Sequence, residues 1–285
     1  MWLWYGAPRC NLLTFVNAGS RKNKSAAPRG RLRCRWGGVM TTNVLDRRNS
    51  KVTSDSRWSV VGDGVLYFVD DTGFDKIEDR PFGVMVCAGN AALIEHWRTW
   101  FINGDYSVTP PTEITFPNGR FDAIYVTIVT KPVFTIAFSS GLYHTYQEDA
   151  NFCGSGAEFA KDCYSVNGCA HRCIETAKAG DPQTGGEVLY YDFNTAQSNL
   201  NANPMSLDEL NGVLLDRGMA MDLKTQAIRK MTEVEKDALR GALNAGTASL
   251  CAPTGQAPRA WTDREKADAK EALRRIVELE KMAGR

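Results

Sequence analysis

From Thr41 onward the chain alternates short apolar runs with clusters of turn-forming residues, the pattern of strands joined by tight connections. Asn43-Val44-Leu45 reads as a short strand, residues 46–50 supply turn chemistry, and residues 51–57 read as a second strand, so the two predict a hairpin. Residues 83–88 form a continuous apolar run of the length of a fully buried strand. It closes on Gly89-Asn90 and gives way to helical spacing at Ala92, Leu93, His96, Trp97 and Trp100. Residues 123–130 and 133–138 predict another hairpin across Lys131-Pro132, and the stretch containing Pro110-Pro111 is a loop. After Gly154-Ser155-Gly156 the pattern is helical to Lys178. A Gly/Pro-rich connection follows over residues 180–186, then a last strand over residues 187–191. Strands, a helical layer and strands again predict sheets packed with helices in an α+β domain.

Beyond residue 200 the period changes. Ser206 with Glu209, Thr232 with Glu235 and Thr262 with Glu265 are capping-box signatures, and helical spacing follows each. The last of these helices carries Ala269, Ala272, Leu273, Ile276 and Leu279 on one stripe, a face that docks either on its own domain or on a neighbouring subunit. Residues 253–258, with Pro253, Gly255 and Pro258, read as a linker before it. Three segments result: a leader, propeptide or misassigned start over residues 1–40, a globular domain over 41–200, and a helical C-terminal extension over 201–285.

Charge separates the first segment from the rest. All eight basic residues before Met40, from Arg9 to Arg35, stand without any Asp or Glu, although the whole chain has a net charge of only +1. The remainder is therefore acidic, which argues against a nucleic-acid partner. The leader resembles an organellar transit peptide in composition. It reads first as a stretch upstream of a true start at Met40, then as a cleaved propeptide, then as a targeting segment; a retained extension is the remaining alternative. The longest apolar stretch, around residues 125–138, is interrupted by Lys131-Pro132 and too short for a membrane span. Eight cysteines in a chain of this size fit a reduced, cytoplasmic compartment better than a disulfide framework.

The candidate chemistry begins at Thr41. A chain starting there carries a hydroxyl nucleophile and an α-amine on one residue, and an α-amine with an unperturbed pKa of roughly 7.7–8.0 accepts a proton near neutral pH. The motifs that follow are Thr41-Thr42 opening a hairpin, Asp55-Ser56-Arg57 at the end of its second strand, and Lys76-Ile77 before the buried strand. Further along come Ala88-Gly89-Asn90-Ala91-Ala92 after that strand, Gly154-Ser155-Gly156 before a helix, and Asp181-Pro182-Gln183-Thr184-Gly185-Gly186. In this order they resemble the motif series of proteasome β-subunits over about residues 41–193. The Thr-Thr start and Arg47-Arg48-Asn49 are also similar to the bacterial ATP-dependent threonine protease ring. The short distance from Gly156 to Asp181 looks most like the compact proteasome-like hydrolases of bacteria and their phages.

The resemblance implies an Ntn-hydrolase four-layer αββα sandwich and a threonine-dependent peptidase. Thr41 Oγ1 is then the nucleophile, with its own amine or a water as base. Lys76 is a fixed positive charge beside that amine, held by Asp55. Gly89 offers a backbone N–H to the oxyanion, and Ser155, Asp181 and Thr184 support the terminus. It further implies a peptide or protein substrate, a homo-oligomer, an AAA+ ATPase unfoldase as a possible partner, and no cofactor. A non-catalytic ring or assembly subunit, and an Ntn amidase acting on a small amide, are the alternatives.

Other constellations carry less. Cys163, Cys169, His171 and Cys173 cluster, but their spacing matches no common zinc pattern and they fall in helices that need small apolar residues, so they read as core cysteines. His96 and His144 have no serine or cysteine elbow to serve. No phosphate-binding glycine loop is present, so any ATP dependence would come from a partner.

Overall fold

The computed structural model describes residues 41–252 and 254–284, all within one compact unit. The leader over residues 1–40 lies outside them. The elements are β1 (Thr42–Asp46), β2 (Lys51–Asp55), β3 (Trp58–Gly62), β4 (Val65–Val69), β5 (Ile77–Arg80), β6 (Gly83–Asn90), α1 (Ala91–Asn103), β7 (Glu113–Thr115), β8 (Phe121–Thr130) and β9 (Thr135–Ser139). They continue with β10 (Thr145–Tyr146), β11 (Ala150–Gly154), α2 (Ala157–Asn167), α3 (Ala170–Gly180), β12 (Val188–Asp192) and β13 (Gln197–Ser198). The last are α4 (Leu207–Arg217), β14 (Met219–Asp222), β15 (Ile228–Lys230), α5 (Glu233–Asn244), β16 (Cys251–Ala252) and α6 (Asp263–Met282).

The fold is mixed α and β, with antiparallel pairing throughout the described ladders. One sheet runs β10-β11-β1-β2-β12-β13; the other runs β15-β14-β4-β3-β16-β6-β8-β7, with β5 on β6 and β9 on β8. Side chains alternate across each strand, so each sheet offers two faces. Leu45, Val52, Cys153 and Leu189 of the first sheet share a core with Val84, Val86, Ala88 and Tyr125 of the second. Val44, Phe152 and Val188 point the other way, onto Ala160, Tyr164, Cys173 and Ile174 of α2 and α3. On the second sheet, Trp58, Met85 and Val126 pack with Trp97 of α1, Leu210 of α4, Leu239 of α5 and Leu273 of α6.

The expected first hairpin forms, but its second strand stops at Asp55 because that carboxylate accepts the Arg57 N–H at 3.1 Å and turns the backbone out of the ladder. The buried run extends to Asn90, whose side chain caps α1 by accepting from Ala92 N at 3.0 Å. All three capping boxes close at Ser206, Thr232 and Thr262. The stripe on α6 docks on its own domain, with Ala269, Ala272, Leu273 and Ile276 in the core. Residues 201–285 are more than a row of helices: β14 pairs with β4, and β16 lies between β3 and β6. Strands this short leave no readable periodicity. The stretch expected as a linker is tied down, with Thr254 buried and the Ala257 carbonyl accepting from Tyr125 Oη at 2.6 Å. Among the described residues no helix is long and apolar enough to cross a membrane.

Candidate active site

Thr41 immediately precedes β1, a central strand paired on one side with β2 and on the other with β11. Its position against β11 depends on Gly154, which has φ +99° and where a Cβ would overlap the Thr41 carbonyl. Asp55 ends the neighbouring strand. Lys76 comes from the facing sheet, one residue before β5, with its carbonyl fixed by Cys87 N at 2.8 Å. The three side chains therefore meet between the sheets, and all three residues are almost completely buried.

Lys76 Nζ donates to Thr41 Oγ1 at 2.6 Å and to Asp55 Oδ1 at 3.0 Å. The Thr41 hydroxyl donates to the same Asp55 oxygen, which also accepts from Thr42 N at 2.9 Å. Asp55 Oδ2 accepts from Arg57 N at 3.1 Å and Gly185 N at 3.3 Å. A buried carboxylate is costly unless its lone pairs are filled, and this one is ringed by five donors. Trp58 lies 5.4 Å from Lys76 Nζ at its ring centroid and adds an electron-rich wall.

Burial pushes the Lys76 ammonium below the ordinary lysine value, and the Asp55 carboxylate opposes that shift without cancelling it. In the unfolded chain the same lysine titrates normally. Over the window between the lowered value and 10.5 the unfolded chain therefore holds the extra proton, and rising pH favours the folded form. Lys76's contribution to stability should therefore rise across that window. Urea midpoints measured across pH and referenced to Lys76→Met check the sign; a midpoint difference that does not grow as pH rises toward 10.5 would contradict the shift.

Ser155, Asp181 and Thr184 form a second group. Ser155 Oγ donates to Asp181 Oδ2, which also accepts from Thr184 Oγ1 at 2.6 Å. Thr42 joins the two groups: its Oγ1 lies 2.7 Å from Thr184 Oγ1, while its N–H serves Asp55. Sequence reasoning missed Thr42, although its hydroxyl adjacent to the candidate nucleophile was the available signal. Gly89 lies near the end of β6. It has φ +124°, and a Cβ there would overlap the Ala123 carbonyl, so glycine is required by the close passage of β8.

Competing nucleophiles are disfavoured. Cys153 sits beside Asn43, whose Nδ2 lies 3.3 Å from its sulfur, and burial pushes its thiol up to about 12, leaving it protonated at neutral pH. Cys173 is core, as expected, whereas Cys163 and Cys169 are half-buried. Among the described residues no group of His, Cys, Asp and Glu is arranged to hold a metal ion. No protein-family model matches the chain, and no curated protein matches it in sequence.

Proposed function

We propose that the chain is a threonine-dependent peptidase of the proteasome-like N-terminal nucleophile class, built as a four-layer αββα sandwich whose second sheet and outer helical layer are completed by residues beyond 200. The observation that carries this reading is Lys76 Nζ at 2.6 Å from a buried Thr41 Oγ1, with Asp55 bonded to both. An ammonium at that distance stabilises the alkoxide that forms as the hydroxyl attacks a carbonyl. With Thr41 as the mature terminus, its amine takes the hydroxyl proton and returns it to the leaving amine of the substrate. Gly89 N–H serves the oxyanion, an interaction worth roughly 2.7–4 kcal/mol in a hydrolase. Ser155, Asp181 and Thr184, linked through Thr42, hold the start of β1 in place.

The substrate in this reading is an extended peptide or an unfolded protein, delivered in the cytoplasm by an AAA+ ATPase where folded substrates are involved. Assembly follows the same class: α2 carries Phe159 and Val166 exposed on its surface, and burial of such side chains favours a closed symmetric homo-oligomer. Light scattering at micromolar concentration should give a mass several times the 31.5 kDa chain, or its processed form. A strictly monomeric species would remove the chambered-protease part of the proposal. The enzymatic part is tested by hydrolysis of blocked fluorogenic peptides, expected from protein beginning at Thr41 and absent from protein carrying residues 1–40.

A further inference from the structure

Between β3 and β6 lies a strand of only two residues, Cys251–Ala252, contributed from far along the chain. Its register sets Cys251 against Ser59 on one side, and Cys251 and Ala252 against Asn90 and Gly89 on the other. Backbone amides alternate direction along a strand, so their partners locate the Gly89 N–H. Cys87 N bonds Lys76 O, and Ala91 N bonds Leu250 O at 2.9 Å, both on the edge of β6 that faces away from β8. Gly89, midway between them, directs its N–H to the same edge, at Ala252. Two residues further on, the Thr254 carbonyl accepts from Gly154 N at 3.0 Å, at the end of β11 that pairs with Thr42. Cys251–Ala252 thus lies on the edge of one sheet and Thr254 against the other, beside the residues that hold Thr41.

We propose that Cys251–Ala252 and Thr254 belong to an internal strap occupying the position in which an extended peptide must lie for its carbonyl to reach both Thr41 Oγ1 and Gly89 N–H. This rests on the catalytic reading of those two residues given above. A peptide using Gly89 as oxyanion donor has to run along that edge of β6, where Ala252 already sits. The chain is its own occupant, and its candidate nucleophile is fully buried. The strap is anchored at both ends. Leu250 is completely buried in the helix-packed core, while Gln256 Nε2 donates to the Gly141 carbonyl at 2.8 Å and Tyr125 Oη to that of Ala257. Between the anchors so short a ladder opens at low cost compared with global unfolding. Displacement of the strap is therefore the step that admits substrate.

The test uses the full chain and, as probe, an isotope-labelled peptide blocked at both ends with the sequence of residues 247–255. Hydrogen exchange is followed at the amides of Cys251, Ala252 and Thr254, in the parent protein and in the double variant Tyr125→Phe/Gln256→Ala. That variant weakens the rear anchor and leaves the candidate catalytic residues untouched. Exchange at these amides should quicken in the variant, and the variant should bind the probe about ten-fold more tightly or better, from the loss of the Tyr125 hydroxyl bond and of the Gln256 side-chain bonds to Gly141, Leu142 and His144. In both proteins the bound probe should raise exchange across the strap. Probe binding that leaves strap exchange unchanged overturns the proposal, as does failure of the probe to bind either protein. If the probe displaces the strap but no peptide is cleaved with Thr41 at the terminus, the strap stands and the catalytic reading falls.

Discussion

Thr41→Ala should reduce peptide hydrolysis by about 10⁴-fold or more, the scale seen when a hydrolase loses its nucleophile. The substitution removes the only atom that Lys76 and Asp55 both address at this point, while leaving the backbone of β1 and the Thr42 bonds to Asp55 and Thr184 in place. Folding should therefore survive. Thr41→Ser keeps the hydroxyl and should retain measurable turnover, reduced because the loss of the methyl frees the side chain to rotate. Activity of Thr41→Ala within about ten-fold of the parent, measured with blocked peptides by kcat/KM, would falsify the nucleophile assignment.

The second large effect is on stability. Asp55→Ala strips the acceptor from five donors and leaves Lys76 as a buried ammonium with no counter-ion. Breaking a buried pair from one side costs about 3–5 kcal/mol, a large part of the roughly 5–15 kcal/mol that holds a typical domain together. Lys76→Met should cost less, since Asp55 keeps the hydroxyl and three backbone amides and the lysine's own desolvation penalty disappears. Urea denaturation of both variants gives the comparison. Equal losses would mean that the pair, rather than the unfilled carboxylate shell and the stranded charge, sets the energetics.

Asp55 and Lys76 are legible through the resemblance of the motif series, which the clear patterns beside them let one align: the hairpin before Asp55 and the buried run Gly83–Asn90 after Lys76. Ser155 and Thr184 are implied by the same resemblance, whose motifs there are framed by glycines. Gly156 is one such residue, since a Cβ there would press on Thr42 Oγ1 and Thr184 Oγ1. A tight backbone approach leaves glycine in the sequence as its trace.

Other features left no such trace. The hairpin of β3 and β4 has no turn signal separating it from the preceding strand except Asp55-Ser56-Arg57, although its residues are β-branched and aromatic. The C-terminal strands are set by tertiary pairing rather than by local pattern: β16 has two residues, and the chain beyond it is rich in Pro and Gly. Capping boxes, by contrast, are local devices, and all three expected ones close. Local signals thus gave the helices their starts, and only the assembled sheet shows that Ala252 faces Gly89.

The central claim is that Thr41 acts as a terminal nucleophile, and it is tested most directly by the N-terminal residue and intact mass of the native protein after labelling with a threonine-directed electrophile. The account predicts a chain beginning at Thr41, carrying one label that maps to that residue and is lost in Thr41→Ala. A native protein that hydrolyses peptides while retaining residues before Thr41, or whose label maps elsewhere, would contradict it.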